Sequence, residues 1–191
     1  RNIQMSLDLS LEDAVFGKNI EITLPSTRKK VSVNIPPGVS TGNKIRLSGE
    51  GEQSQYGGEN GDLFIVVNVL GHDFFEREAN HLYCEIPLRV DQAVLGDEIE
   101  VPTLTKKVLL KIPPETQTGK VFKLRDLGAG SLHGSSKGDL FIRVVVETPS
   151  KITADQKKSI ANAFSGLEKN FSESKKFTDK IKQNLIYVGG L

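Results

Sequence analysis

The sequence predicts a mainly β protein: two tandem copies of one small antiparallel β-sandwich, each with a short helix, followed by C-terminal helices. Three observations predict this class. Apolar and polar residues alternate along many short segments, as in strands buried on one face. The strand "GDLFIVVNV", which begins at residue 61, returns as "GDLFIRVVV" at residue 138. After about residue 150 the apolar spacing becomes helical.

Other motifs confirm that the chain is an internal duplication. "KKVSVNIPPGVSTG" begins at residue 29 and returns as "KKVLLKIPPETQTG" at residue 106, again 77 positions later. Upstream, "LEDAVFGKNIEI" at residue 11 matches "VDQAVLGDEIEV" at residue 90, an offset of 79, so the first copy is two residues shorter between Ile22 and Lys29. Two long copies indicate a duplicated domain and not a solenoid array.

The elements follow in the same order in each copy. Residues 3–9 alternate as a first strand, Ser10 caps a short helix over 11–16, and Gly17 ends it. A strand from Ile20 to Leu24, a second around residues 31–35, a "PPGVSTG" turn, a short strand and the long strand from residue 62 complete the unit. We therefore predict subdomains over residues 1–77 and 78–150 and a helical segment over residues 151–191.

The helical segment begins with a capping box, in which Thr153 and Gln156 satisfy the first free amides. Further along, Phe177, Ile181 and Leu185 fall four residues apart and form one apolar stripe. Such short amphipathic helices need a surface to cover this stripe, either the chain's own second sandwich or that of a partner. The surplus of lysines in this segment is typical of a solvated helix face, with binding to an anionic surface as the alternative.

Composition excludes several classes of function. The 25 basic and 24 acidic residues give a net charge of +1, which argues against a nucleic-acid-binding protein. No apolar stretch is long enough to span a membrane. The single cysteine, Cys84, alternates with Leu82 and Ile86 on one strand face, which predicts a buried thiol. Because one cysteine cannot form an internal disulfide, we expect a reducing compartment, the cytoplasm or an organelle with reducing conditions. The absence of an initiator methionine suggests a fragment.

We find no catalytic centre and no metal site in the sequence. Three histidines and one cysteine show no ligand spacing. The segment "GAGSLHG" at residues 128–134 resembles a phosphate-binding loop, but a strand and not a helix follows it, which favours a hairpin loop. We therefore expect no enzyme activity and no cofactor in this chain.

The strand from Ile20 to Leu24 is the strongest candidate for a binding element. It contains no proline, glycine or lysine, whereas its counterpart in the second copy carries Pro102, which cannot donate a hydrogen bond to another strand. An open strand edge beside apolar pockets can bind an extended peptide by β-augmentation. The alternative is an edge that the chain itself covers.

Six motifs occur along the chain in a characteristic order and spacing: "SLEDAVFGKNIEI", "VNIPPGVSTGNKIRLSGEGE", "GDLFIVVNVLGHDFFEREANHLYCEIPL", "AVLGDEIEVPTL", "IPPETQTGKVFKLRDLG" and "GDLFIRVVVETP". Together they resemble the C-terminal substrate-binding region of the DnaJ family of J-domain co-chaperones. The resemblance covers residues 3 to 165. It implies two β-sandwich subdomains and a dimerising C-terminal segment. Two parts of the family pattern are missing: the cysteine-rich zinc module, whose usual insertion point is crossed by "ITLPSTRKKVSV", and the J domain.

The resemblance implies a co-chaperone fragment that binds unfolded apolar polypeptide segments and presents them to a DnaK-type ATPase chaperone. It places the client groove at five residues: Met5, Leu7, Ile22, Leu24 and Phe75. It also implies a homodimer formed through Phe177, Ile181 and Leu185, and zinc only if the parent protein carries the missing module. Without a J domain, the chain should not stimulate the ATPase. The alternative function is a structural spacer and dimerisation module without a client groove.

Overall fold

The computed structural model describes residues 1–25 and 27–181, and it is mainly β as the sequence predicts. The chain divides into two compact units, Arg1–Thr148 and Pro149–Leu191. The first unit contains both copies of the repeat. Leu185, one of the predicted dimerisation residues, lies outside the described residues.

The first copy contains five strands and one short helix. In chain order these are β1 (Ile3–Leu9), α1 (Leu11–Phe16), β2 (Lys18–Thr23), β3 (Lys30–Ile35), β4 (Lys44–Leu47) and β5 (Leu63–Val69). One sheet has the strand order β1-β5-β4, and β2 and β3 form a separate two-stranded sheet. Both sheets bury apolar residues in one cluster, including Leu9, Ile22, Val33 and Ile65, and this shared core makes the sandwich.

The second copy repeats this plan and adds one strand. Its elements are β6 (Glu76–Glu78), β7 (His81–Arg89), α2 (Val90–Leu95), β8 (Asp97–Pro102), β9 (Lys107–Ile112), β10 (Val121–Leu124) and β11 (Leu140–Glu147). The larger sheet has the order β10-β11-β7-β6, and β8 pairs with β9. The sequence did not predict β6, which pairs with β7. Residues 76 and 77 of this strand fall within the predicted first subdomain, yet they extend the sheet of the second copy.

The strand directions differ from the prediction at one place in each copy. β1 runs parallel to β5, and β7 runs parallel to β11, whereas the remaining pairs are antiparallel. Alternation identifies the buried face of a strand but carries no information on the direction of its neighbour. The parallel pairs are possible because the whole of the intervening chain serves as the crossover.

The predicted helix ends are confirmed. The hydroxyl of Ser10 accepts a hydrogen bond from the amide of Asp13 at 3.1 Å, and Gly17 ends α1 with a φ of 76°. Gly96 ends α2 in the same way, with a φ of 78°. The two copies therefore leave their helices by the same backbone conformation, which favours glycine.

The C-terminal unit is helical. It contains α3 (Ala154–Phe164), a 3₁₀ turn (Glu168–Asn170) and α4 (Ser172–Lys180). The predicted capping box is present, because Thr153 Oγ1 accepts from the Gln156 amide at 3.1 Å and Gln156 Oε1 accepts from the Thr153 amide at 2.8 Å. Within the described residues, every helix is too short or too polar to cross a membrane.

Candidate peptide-binding site

The outer edge of β2 is open. The Leu24 amide donates to the Lys29 carbonyl at 2.8 Å, so this residue directs its backbone groups towards the β3 side of the hairpin. In an antiparallel ladder every second residue directs its backbone groups towards the same neighbouring strand. Ile20 and Ile22 therefore direct their backbone groups towards β3 as well. Asn19, Glu21 and Thr23 therefore direct their N–H and C=O groups outwards. No strand pairs with that side of β2 in the part of the chain that the structure describes.

The outer edge of β1 is open in the same sense. The Ile3 amide donates to the Asp62 carbonyl at 2.8 Å, and the Leu70 amide donates to the Leu9 carbonyl at 2.8 Å. The odd-numbered residues of β1 therefore pair with β5, and the backbone groups of Gln4, Ser6 and Asp8 point away from it. β1 is an edge strand of its sheet as described.

Partly buried apolar side chains line the inner faces of these two strands. Met5 and Leu7 on β1 and Ile20 on β2 are half-buried and pack against the first-copy core. Ile22 and Leu24 belong to the same core but are only 7% and 1% exposed. The structure thus brings four of the five predicted groove residues into one apolar cluster. Met5 and Leu7 are partly accessible there, whereas Ile22 and Leu24 are buried beneath the surface.

Phe75 lies elsewhere. Its side chain is 4% exposed and belongs to the second-copy core cluster, together with Leu11 and Val15 of α1. The cluster therefore joins the two copies, and Phe75 is part of that junction. Sequence analysis did not single out Ile20 as a site residue, although it begins the alternation that continues through Ile22.

The equivalent region of the second copy is more closed. β6 pairs with residues 81–83 of β7, along the edge that β1 leaves open in the first copy. Leu82 and Cys84, which occupy the positions of Ile3 and Met5, are 0% and 8% exposed, whereas Ile3 and Met5 are half-buried. The copies thus differ at the surface that would receive a peptide.

Pro102 removes one hydrogen-bond donor from the outer edge of β8. The Thr103 amide donates to the Lys106 carbonyl at 2.8 Å, so the alternation assigns Pro102 to the outward side of β8. Its counterpart, Thr23, has an outward N–H that proline lacks. A peptide strand would therefore find one donor fewer on β8 than on β2.

Cys84 is the one cysteine of the chain, and it is buried on β7 in the second copy. Burial raises the pKa of the Cys84 thiol to about 11, so that it is a neutral thiol at physiological pH and a poor nucleophile. Residues 1–25 and 27–181 contain no group of three or more His, Cys, Asp and Glu side chains placed to hold a metal ion. What the site offers is backbone hydrogen bonding beside an apolar surface.

Comparison with protein families agrees with the repeated sandwich. The model of the family described as the DnaJ C terminal domain matches residues 3–149. This match covers most of the chain, and the chain belongs to that family, as the C-terminal region of a DnaJ-type chaperone. The matched region spans both copies of the repeat and ends before α3.

Proposed function

We propose that this chain binds unfolded, apolar-rich polypeptide segments by β-augmentation at the outer edge of β2, and that it presents them to a DnaK-type ATPase chaperone. The observation that carries the proposal is the open edge of Asn19, Glu21 and Thr23 beside half-buried apolar side chains. Membership of the DnaJ C-terminal domain family supports it.

The two parts of the site have different tasks. Backbone groups on the β2 edge bind any extended segment, because they pair with the peptide main chain and not with its side chains. The accessible apolar surface of Met5, Leu7 and Ile20 selects apolar side chains in the client. Each such side chain that becomes fully buried contributes on the order of 1.5–3 kcal/mol.

Glu21→Pro tests the edge directly. The Glu21 amide points away from β3, so proline removes one outward donor and leaves the β2–β3 ladder intact. We expect at least about a tenfold loss of affinity for a fluorescently labelled apolar peptide, since several outward bonds depend on a regular edge. Fluorescence anisotropy gives the affinity, and circular dichroism shows that the variant is folded.

Glu100→Pro is the matched control. Glu100 occupies the same position on β8, and each glutamate makes one exposed ion pair, Glu21 with Lys30 at 3.7 Å and Glu100 with Lys107 at 3.4 Å. Both substitutions therefore remove the same interactions from the fold. Equal affinity of Glu21→Pro and wild type, in a folded protein, contradicts binding at β2. A larger loss in Glu100→Pro places the client on the second copy instead.

Side-chain tests are best made at the half-buried positions. A charge at Ile22 or Leu24 would enter the core and unfold the sandwich, so a loss of binding there would be uninformative. Ile20→Thr keeps a β-branched residue while removing apolar surface. Ile99→Thr, at the equivalent position of β8, controls for any general loss of stability.

The C-terminal unit supports a further part of the proposal, a homodimer. No residue of α3 or α4 is buried, and large apolar side chains are exposed along them. These are Ile160, Phe164, Leu167, Phe171, Phe177 and Ile181. Two copies joined here would hold two client sites on one assembly, which raises avidity for a long unfolded chain without any new contact.

Sedimentation of the 20.9 kDa chain measures the dimer. We expect a dimer at tens of micromolar and a monomer when the chain is stopped after Gly166. The shortened chain should bind short peptides as the full chain does but suppress aggregation of long clients less well. A monomeric full chain contradicts the dimer.

The second candidate function is a structural spacer with a dimerisation segment. The exposed apolar side chains of the described C-terminal residues, such as Phe177 and Ile181, are the observation that favours it. It predicts a dimer that shows no measurable affinity for apolar peptides. Peptide titration of the unmodified chain separates the two functions.

A further inference from the structure

The outer face of the larger sheet in the second copy carries an aromatic cleft that the proposed function does not use. Tyr83 on β7 and Phe141 on β11 are neighbours in register, and their rings stack with centroids 5.1 Å apart and planes 14° from parallel. Val121 on β10 is 41% exposed, and Phe74, beside β6, is 63% exposed. These four side chains line one cleft.

The first copy shows that the fold does not need an apolar residue at two of these four positions. The positions of Tyr83 and Val121 are occupied there by Gln4 and Lys44, which are both exposed. The same sandwich therefore forms with polar residues at these places. An apolar surface beyond what folding requires indicates a surface that another molecule covers.

The charges around the cleft indicate what that molecule carries. Asp73, Glu76 and Glu85 line it and are exposed, and none of them forms an ion pair among the described residues. The one cation in the lining is Arg143. The nearby Lys123 is paired with Asp139 at 3.5 Å. The cleft thus has an excess of two negative charges beside stacked aromatic faces.

We propose that this aromatic cleft binds an arginine or lysine side chain of an extended partner polypeptide, with aliphatic neighbours of that residue on Val121 and Phe74. A cation over an aromatic face within reach of carboxylates gains from both interactions. The face is separate from the β2 edge, and its selectivity is for basic segments. The chain then holds two classes of segment: apolar ones on the first copy and basic ones on the second.

The test uses two labelled pentapeptides, Leu-Arg-Leu-Arg-Leu and Leu-Glu-Leu-Glu-Leu, titrated against the full chain carrying Glu21→Pro. This background weakens binding at the β2 edge, so that binding at the cleft contributes most of the measured signal. We expect the basic peptide to bind and the acidic peptide to bind at least tenfold more weakly. Backbone amide shifts of Tyr83, Glu85 and Arg143 in NMR spectra should move on titration.

The double variant Tyr83→Gln with Val121→Lys copies the first subdomain and should weaken the basic peptide about tenfold. Glu76→Gln with Glu85→Gln keeps side-chain shape and should weaken it too, with a flatter salt dependence. Equal binding of the two peptides, or unchanged affinity in either variant, overturns the proposal. Conversion of a dimer to a monomer by the first variant also overturns it, because the cleft would then belong to a second copy of this chain.

Discussion

At the scale of the residue, Gly17 shows how the repeated fold depends on one amino acid. A Cβ added there would lie 2.7 Å from the carbonyl oxygen of Ile35 and 2.9 Å from the nitrogen of Pro37. Its φ of 76° is also unfavourable for any other residue. Gly96 repeats both features, with Cβ distances of 2.9 Å to Ile112 O and Pro114 N. In each copy the "IPP" motif therefore packs so closely against the glycine that no side chain fits there.

Gly17→Ala should lower the free energy of unfolding by about 2–6 kcal/mol, because backbone strain and overpacking each cost about 1–3 kcal/mol. Gly49→Ala is the matched control, because Gly49 has a φ of 75° but no atom within 4 Å of the added Cβ. It should cost only the conformational part, about 1–2 kcal/mol. Urea denaturation measures both. Equal losses would show that the close approach at Gly17 contributes nothing.

At the scale of the element, one aspartate in each copy holds the turn that follows β4 or its counterpart β10. Asp62 accepts from the Gly49 amide at 2.9 Å and from Arg46 Nε at 2.7 Å. Its counterpart, Asp139, accepts from the Asp126 amide at 3.1 Å and pairs with Lys123. The "GD" that opens each repeated long strand thus links that strand to its hairpin partner.

These contacts lower the pKa of both carboxyl groups. For Asp62 the largest cause is the Gly49 amide, followed by Arg46, and for Asp139 it is the Asp126 amide. Because the pKa is lower in the folded state, the stabilisation is present at neutral pH and is lost as pH falls below about 3.8, the ordinary value. Asp62→Asn with Asp139→Asn should therefore be less stable than wild type at pH 7. The difference should shrink at pH 3, as measured by thermal unfolding at each pH; a constant difference contradicts the assignment.

At the scale of the whole molecule, Arg77 connects the two copies. Its guanidinium donates to the carbonyls of Gly38 and Val39 in the first copy and to that of Gly130 in the second. Its pKa is lowered by burial. His72 anchors the same connection, because its Nδ1 accepts from the Phe74 amide at 3.0 Å and its Nε2 therefore donates to Glu12 at 2.7 Å.

Arg77→Met keeps much of the side-chain length but removes every donor. It leaves the three carbonyls named above and the carbonyl of Ala79 without this partner. Each lost bond from a charged donor costs about 1.5–3 kcal/mol where the acceptor stays buried. We expect the loop around Gly130 to become more sensitive to limited proteolysis, while the two sandwiches stay folded. Arg143→Met is a control at an exposed position. Unchanged cleavage in Arg77→Met would show that the apolar junction alone holds the copies together.

The sequence alone determined the repeat, the faces of the strands and the ends of the helices. Each of these depends on residues close together in the chain or on a pattern that recurs at a constant offset, as with Ser10 and Gly17 at the two ends of α1. It also indicated the β2 edge, because the contrast between Thr23 and Pro102 can be seen by aligning the copies.

Only the tertiary structure decided which strands became neighbours and which apolar residues stayed accessible. Alternation records which face of a strand is buried, but its partner and direction depend on contacts between distant residues, as in the parallel pairing of β1 with β5. For the same reason the sequence did not distinguish Leu24, which is buried in the first-copy core, from Met5, which is half-buried. Phe75 went to the junction between the copies because α1 supplied the apolar surface there, and no local pattern records that contact.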